Sequence, residues 1–346
     1  MTKIMQYMHQ ERIMVRKMIK IKDLTIGSIA EITLVVISAI ARETKTKKPY
    51  LQLELFDGTD TIQGNYWDWT SGKIPEKNAI LDVKAQVTEY MSIKQLNIKT
   101  LTTNNDRHLS EFSPNSGVDI GDVYKEAYSL ASSIKDDFLH DLTINILEQL
   151  DRMWWSVPGA KGVHHAFIGG TLVHCLSVAK IALAISKQIP DSNDDLCIAG
   201  GLLHDLGKLW TYRINGITIE MTDEGQLFDH TYMGARFVNN FAENFINGEH
   251  DIPKLEILEH IILSHHGSLD FGAAVPPMCI EAHIVHRADG VDASVQQVLE
   301  ASRKLGNVKW TERIYTLGNK PQLTAQYVAE IMHYMDSVDD SLPSKV

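Results

Sequence analysis

The sequence predicts an α+β chain of more than one domain: a small five-stranded β-barrel followed by an all-helical domain. Three observations carry this. Residues 18–101 hold five runs of β-branched or alternating apolar character, punctuated by Gly, Asp, Asn or Pro. From residue 120 onwards the apolar positions recur at helical spacing. Between them, "TTNNDRHLSEFSPNSGVD" is polar and cannot build a core. At 346 residues the chain is also long for one domain. The expected parts are an N-terminal extension (1–17), a barrel (18–103), a linker (104–119), a helical domain (120–330) and a C-terminal tail (331–346).

The strand runs are "IAEITLVVISAIARE", "YLQLELFDG", "DTIQGNYWD", "AILDVKAQVTEY" and "KQLNIKTLT". Five strands in about a hundred residues, with a basic turn after the first, point to an oligonucleotide/oligosaccharide-binding (OB) barrel. Any other small barrel or sandwich is the competing reading. That turn, "RETKTKKPY", carries Arg42, Lys45, Lys47 and Lys48 and ends at Tyr50. A basic track with aromatic platforms binds single strands with little regard to sequence. Tyr50, Phe56, Tyr66, Trp67, Trp69 and Tyr90 are the aromatics available, and two or three are expected to touch bases. "NYWDW" is the foremost cluster, since a continuous run cannot all face inward. The expected strand contacts are therefore Arg42, Lys45, Lys47, Lys48, Tyr50, Tyr66 and Trp67. Met18 opens "MIKIKDLTIGS", a sensible barrel start, so the upstream residues read either as an extension or as an alternative start.

Composition is that of a soluble globular protein, 44% hydrophobic and 22% charged. No apolar run is long enough to span a bilayer. The first twenty residues are charged throughout and lack the apolar stretch of a signal peptide, so a cytoplasmic location is expected. Cys175, Cys197 and Cys279 lie in apolar segments without C-x-x-C spacing and read as reduced, buried thiols. The net charge of −11 argues against a non-specific nucleic-acid binder, but the distribution matters more. Residues 1–110 hold 16 Lys and Arg against 12 Asp and Glu, whereas the remainder holds 17 against 32. A mildly basic front precedes a strongly acidic back.

The helical part runs from "DVYKEAYSLASSIKDDFLHDLTINILEQL" through "TLVHCLSVAKIALAISKQI" to "CIEAHIVHRADGVDASVQQVLEASRK", with room for a short hairpin within 211–227. Leu142, Ile146 and Leu150 leave apolar faces that fit either a homo-oligomer or packing within the chain. Most of the 15 histidines fall after residue 160, and several sit in apolar surroundings. "AGGLLHDLGKLW" places His204 beside Asp205 in such a run. A buried charge there is costly unless paired or bound to a metal. His174 precedes the pair, and His230, His265–His266 and Asp289 follow, giving the order H…HD…H…HH…D. Neighbours on a helix point about 100° apart, so His204 and Asp205 need other helices to complete a coordination shell. Imidazole with carboxylate suits Mn, Fe, Co, Ni or Zn and disfavours Mg as the sole ion. A single such histidine is commonly structural; the five-part order is not. His283 and His286 read as packing or supporting groups.

On "HHAFIGGTLVHCLSVA", "AGGLLHDLGK", "LSHHGSLDFGA" and "EAHIVHRADGVDAS" the sequence resembles the HD phosphohydrolase superfamily. It resembles more closely the YhaM family of 3′–5′ exoribonucleases, which joins an OB-fold to an HD domain. The resemblance runs from about Met18 into the 320s. It implies a first metal held by His174, His204, Asp205 and Asp289. A second would lie with His230 and His265 or His266, Asp205 bridging, and manganese is the first expectation among one or two divalent ions. Two such ions activate water and stabilise the oxygens at phosphorus. Asp205 and Lys208 are the expected catalytic centre, Lys208 holding a phosphate oxygen or assisting the leaving group, unless it is a surface lysine. His164 and His165 are expected in a loop over the site, contacting phosphate or donating a proton, with core packing as the rival role. Arg287 and Asp292 flank Asp289 as possible supports.

The function so implied is hydrolysis of single-stranded RNA, or DNA, from the 3′ end, the barrel guiding that end to the metals. The alternatives are an HD phosphodiesterase for small or cyclic nucleotides and a binding module with a degenerate site.

Overall fold

Alternation builds the barrel. In a computed structural model that describes residues 19–339 except 71, 92, 115, 161–164, 304, 306 and 307, the five strand runs become β1 (Ile29–Glu43), β2 (Pro49–Phe56), β3 (Thr61–Tyr66), β4 (Ile80–Tyr90) and β5 (Ile93–Thr103). Every second residue of β2 and β4 turns inward: Leu51, Leu53 and Leu55, then Leu81, Val83, Ala85 and Val87. Together with Leu34, Leu96 and Ile98 they fill the interior. The strand order is β1–β2–β3–β5–β4, closed by β4 on β1, with β3 and β5 parallel. This is OB topology. Closure depends on β1, which pairs with β4 through residues 29–35 and with β2 through residues 35–43, across an irregularity between Val36 and Ser38.

By its contacts the chain divides between Phe112 and Ser113. The second unit is helical: α1 (Ile120–Ala131), α2 (Asp137–Gln149), α3 (Asp151–Trp154), α4 (Gly170–Ser186), α5 (Asp194–Leu203), α6 (Lys208–Thr211), α7 (Asp223–Ala242), α8 (Ile252–Ser264), α9 (Ile280–Arg303) and α10 (Ala325–Asp339). Asp119, Asp136, Asn193 and Thr222 cap four of these by accepting backbone N–H groups. The expected hairpin is present as β6 (Tyr212–Asn215) and β7 (Thr218–Met221). α10 carries helix past residue 331, into the stretch expected as the C-terminal tail. The expected extension, residues 1–17, lies outside the described residues. No helix among the described residues is long and apolar enough to cross a membrane.

Leu142, Ile146 and Leu150 are buried in the core of this same unit, so the apolar faces that favoured an oligomer are already consumed. At the centre α5 lies against α4 with no spacer: a Cβ on Gly201 would stand 2.4 Å from the Ala179 Cα. We therefore expect Gly201→Ala to cost about 1–3 kcal/mol by forcing the two helices apart. Gly290→Ala, where a Cβ meets nothing within 4 Å, should instead gain up to about 1 kcal/mol. Denaturant titration of the two variants checks both signs.

Candidate functional site

Five elements bring the predicted histidines and aspartates together. His174 comes from α4, Asp289 from α9, and His265 and His266 from the end of α8. His204 and Asp205 were expected within a helix, but α5 ends at Leu203. Beyond it, Leu206 N–H donates to the Leu203 carbonyl and Lys208 N–H to that of Asp205. These tighter turns replace the helical pattern and let adjacent side chains serve one centre. His230 lies in α7, which is kinked at Asp229 (φ 60°, ψ 159°). At this point Gly207 touches α7 so closely that a Cβ would stand 1.8 Å from the His230 carbonyl oxygen.

The donor atoms converge on Asp205, which is 1% exposed. On its Oδ2 side, His174 Nε2 stands 3.3 Å away and His204 Nε2 3.4 Å. The two nitrogens are 3.2 Å apart, and Asp289 Oδ1 is 3.2 Å from His174 Nε2. On the Oδ1 side, His230 Nε2 lies at 3.4 Å and His265 Nε2 at 3.6 Å, with His266 Nε2 3.0 Å from His230 Nε2. Donors bound to one ion at about 2.1 Å stand about 3.0–3.4 Å apart, close to these spacings. Asp205 Oδ1 is buried without a hydrogen-bond partner among the described residues. Each carboxylate oxygen thus faces its own set of imidazoles.

The other ring nitrogens are held from behind. His204 Nδ1 donates to the Gly201 carbonyl (2.9 Å) and His265 Nδ1 to that of Ile262 (2.7 Å), while His230 Nδ1 meets Asp229. This turns Nε2 of each ring towards the cluster. Lys208 Nζ lies 2.6 Å from Asp205 Oδ2 and is only 11% exposed, so it is neither a surface lysine nor an unpaired cation. Burial would raise Asp205, but Lys208 and His204 outweigh it and hold the carboxyl well below the usual range. Burial likewise opposes a proton on His174, yet Asp205, Asp289 and Asp292 raise that imidazole well above its ordinary value. Those carboxylates would favour any cation at the same place. Burial, with His204 and His266 nearby, pushes His265 well below, keeping it neutral and able to ligate. Hydrogen bonding to His230 draws Asp229 down to about 2. The donor set and the orphaned Asp205 oxygen fit divalent ions.

Not every expectation falls here. His165 is 2% exposed, and its ring lies against Asp292 rather than over the cluster. His164 lies outside the described residues. His283 is exposed, and His286 supports His265 through its carbonyl. Sequence reading passed over Asp229, whose partnership with His230 exists only because α7 breaks there, and Ser177, which donates to Asp292.

In the barrel, Tyr50 and Trp67 stack with centroids 4.4 Å apart, Trp67 being 39% exposed. Lys45, Lys47 and Lys48 occupy the exposed turn between β1 and β2. Arg42 is exposed but belongs to β1, where it donates to Gln52. Tyr66 and Trp69 pack on the barrel core, so Tyr66 is a less accessible platform than the sequence implied. The "NYWDW" run divides by pleat and turn.

Residues 171–294 match the HD domain model, a span that includes all seven clustered residues. The helical unit thus contains an HD domain. It is also similar to the 3′–5′ exoribonuclease YhaM of Geobacillus sp. (strain WCH70), at 29% identity over 304 residues, covering 85% of this chain and 91% of that protein. Two solved structures of a replication protein A domain from Methanococcus maripaludis, one described as its second OB-fold domain, are similar at 23% and 19% identity. They cover 25% and 26% of this chain and 92% and 97% of their own, with TM-scores of 0.23 and 0.22.

Removing the ammonium beside Asp205 leaves a buried charge short of a partner. In chelator-stripped protein Lys208→Met should cost about 3–5 kcal/mol, and added Mn²⁺ should restore part of the loss. Urea titrations with and without the ion measure both; unchanged stability would show that Lys208 does not neutralise Asp205.

Proposed function

We propose that this chain degrades single-stranded RNA from its 3′ end by metal-dependent hydrolysis, with the cluster around Asp205 as the reaction centre and manganese as the working ion. The observation that carries this reading is the division of Asp205 between two imidazole sets, in a chain similar to a 3′–5′ exoribonuclease across both units. His174, His204, Asp205 Oδ2 and Asp289 would hold one ion; Asp205 Oδ1, His230, His265 and His266 would hold a second. When bound, such ions supply Lewis acidity, easing proton loss from water and neutralising charge on phosphoryl oxygens. Mixed imidazole and carboxylate donors suit manganese and its first-row neighbours better than magnesium.

The remaining work belongs to the chain's own groups. The carbonyls of Gly201 and Ile262 and the carboxylate of Asp229 keep the rings aimed inward. Lys208, held at Asp205 Oδ2, presents an ammonium that can bind a non-bridging phosphoryl oxygen. The Tyr50–Trp67 stack offers a platform for bases, and Lys45, Lys47 and Lys48 offer charge to the phosphates. Strand affinity then rests on the mildly basic barrel and hydrolysis on the acidic helical unit. Free cysteines agree with a reducing, cytoplasmic setting.

With 5′-labelled single-stranded RNA and Mn²⁺, the wild-type chain should shorten the strand stepwise and release mononucleotides. His204→Ala and Asp205→Ala should each lower the rate at least about a hundredfold, about 2.7 kcal/mol of barrier, while strand affinity stays within about twofold. Full activity in either variant would remove those residues from the centre. Turnover of cyclic or small nucleotides without a ladder would replace the exonuclease reading. Trp67→Ala should weaken strand binding by about 1–3 kcal/mol. Replacing Lys45, Lys47 and Lys48 together should weaken it further and flatten its salt dependence; an unchanged slope would take that turn out of the binding path.

A further inference from the structure

Asp292 plays no part in the cluster itself, yet it is 2% exposed and fully engaged. Its Oδ2 accepts from His174 Nδ1 at 2.7 Å and from His165 Nε2 at 2.9 Å, and its Oδ1 accepts from Ser177 Oγ at 2.5 Å. Ser177 lies three residues beyond His174 on α4, and Asp292 lies three beyond Asp289 on α9, so the same two helices carry both ligands and their supports. His165 is the member brought from elsewhere. Its backbone sits at φ 52°, a conformation unusual outside glycine. It is held there by Gly159 N–H donating to its carbonyl (2.9 Å) and by its own N–H donating to Glu300 (3.2 Å). A buried side chain kept in such a conformation points to a task for its ring.

We propose that His165 and Asp292 form a positioning relay that fixes the His174 imidazole and thereby sets the metal affinity of the cluster. The inference rests on the metal-centre reading above. Asp292 holds Nδ1–H of His174 and so aims Nε2 at Asp205 and Asp289. His165 keeps the carboxylate from rotating by donating to the same oxygen. The triad is not a further metal site. Its donors touch at hydrogen-bond distances, shorter than the spacing of about 3.0–3.4 Å around one ion, and both Asp292 oxygens already have partners. Groups that orient a ligating histidine typically change metal affinity by about ten- to a hundredfold.

Two amides that differ by one methylene make the test. In His165→Gln the amide nitrogen reaches the place of the imidazole Nε2 and can still donate to Asp292; in His165→Asn it falls short. Chelator-stripped full-length proteins are titrated with Mn²⁺ by calorimetry, alongside thermal melts of the metal-free forms. We expect His165→Asn to weaken Mn²⁺ binding about tenfold and Asp292→Ala up to about a hundredfold, with His165→Gln within about threefold of wild type. Equal affinity in the Gln and Asn variants would overturn the relay, whatever their melting temperatures. Wild-type protein that takes up no Mn²⁺ would overturn the metal-centre reading and the relay with it.

Discussion

A single carboxylate, removed almost wholly from water, dictates how the helical unit is put together. Asp205 is stable there only because an ammonium stands at one oxygen and imidazoles gather at both. Those groups come from α4, α6, α7, the end of α8 and the turn after α5, so the backbones must crowd around one point. Glycines at 201 and 207 permit it, the first by letting α5 lie on α4 and the second by letting the turn touch α7. The apolar core is the frame that holds these elements at that spacing.

Much of this was legible in the residues. The first strand run coincides with β1 from Ile29 to Glu43, because an uninterrupted β-branched stretch bounded by charge has few other ways to fold. The order of histidines and aspartates named the members of the cluster, because apolar flanks make an ionisable side chain expensive unless it has partners. What the sequence withheld were features created by contact. The end of α5 before His204 and the break at Asp229 depend on neighbouring helices. So does the orientation of His165, whose partner lies 127 residues away. Lys208 looked as much like a surface residue as a functional one, since its spacing from Asp205 allows a pair but does not show that both side chains are buried. Tyr66 and Trp67 are adjacent, and only the end of β3 sends one to the core and the other outward.

Charge illustrates the difference between a total and a field. The helical unit is strongly acidic by count, yet its cluster holds five histidines and a lysine within reach of two aspartates. A potential at a buried point follows the nearest groups and the local dielectric more than the sum over the surface. The barrel is the reverse case: a small net charge concentrated in one exposed turn.

The double pairing of β1 also bears on how the chain leaves the ribosome. Residues 29–35 pair with residues 80–86, and the last seam joins residues 63–65 to 95–97. A nascent chain ending at Tyr66 therefore carries a three-stranded ribbon with both edges open and its apolar face uncovered. Nothing earlier than β5 can close it, so closure comes late, and synthesis through about residue 97 is the interval in which the ribbon is most exposed to aggregation.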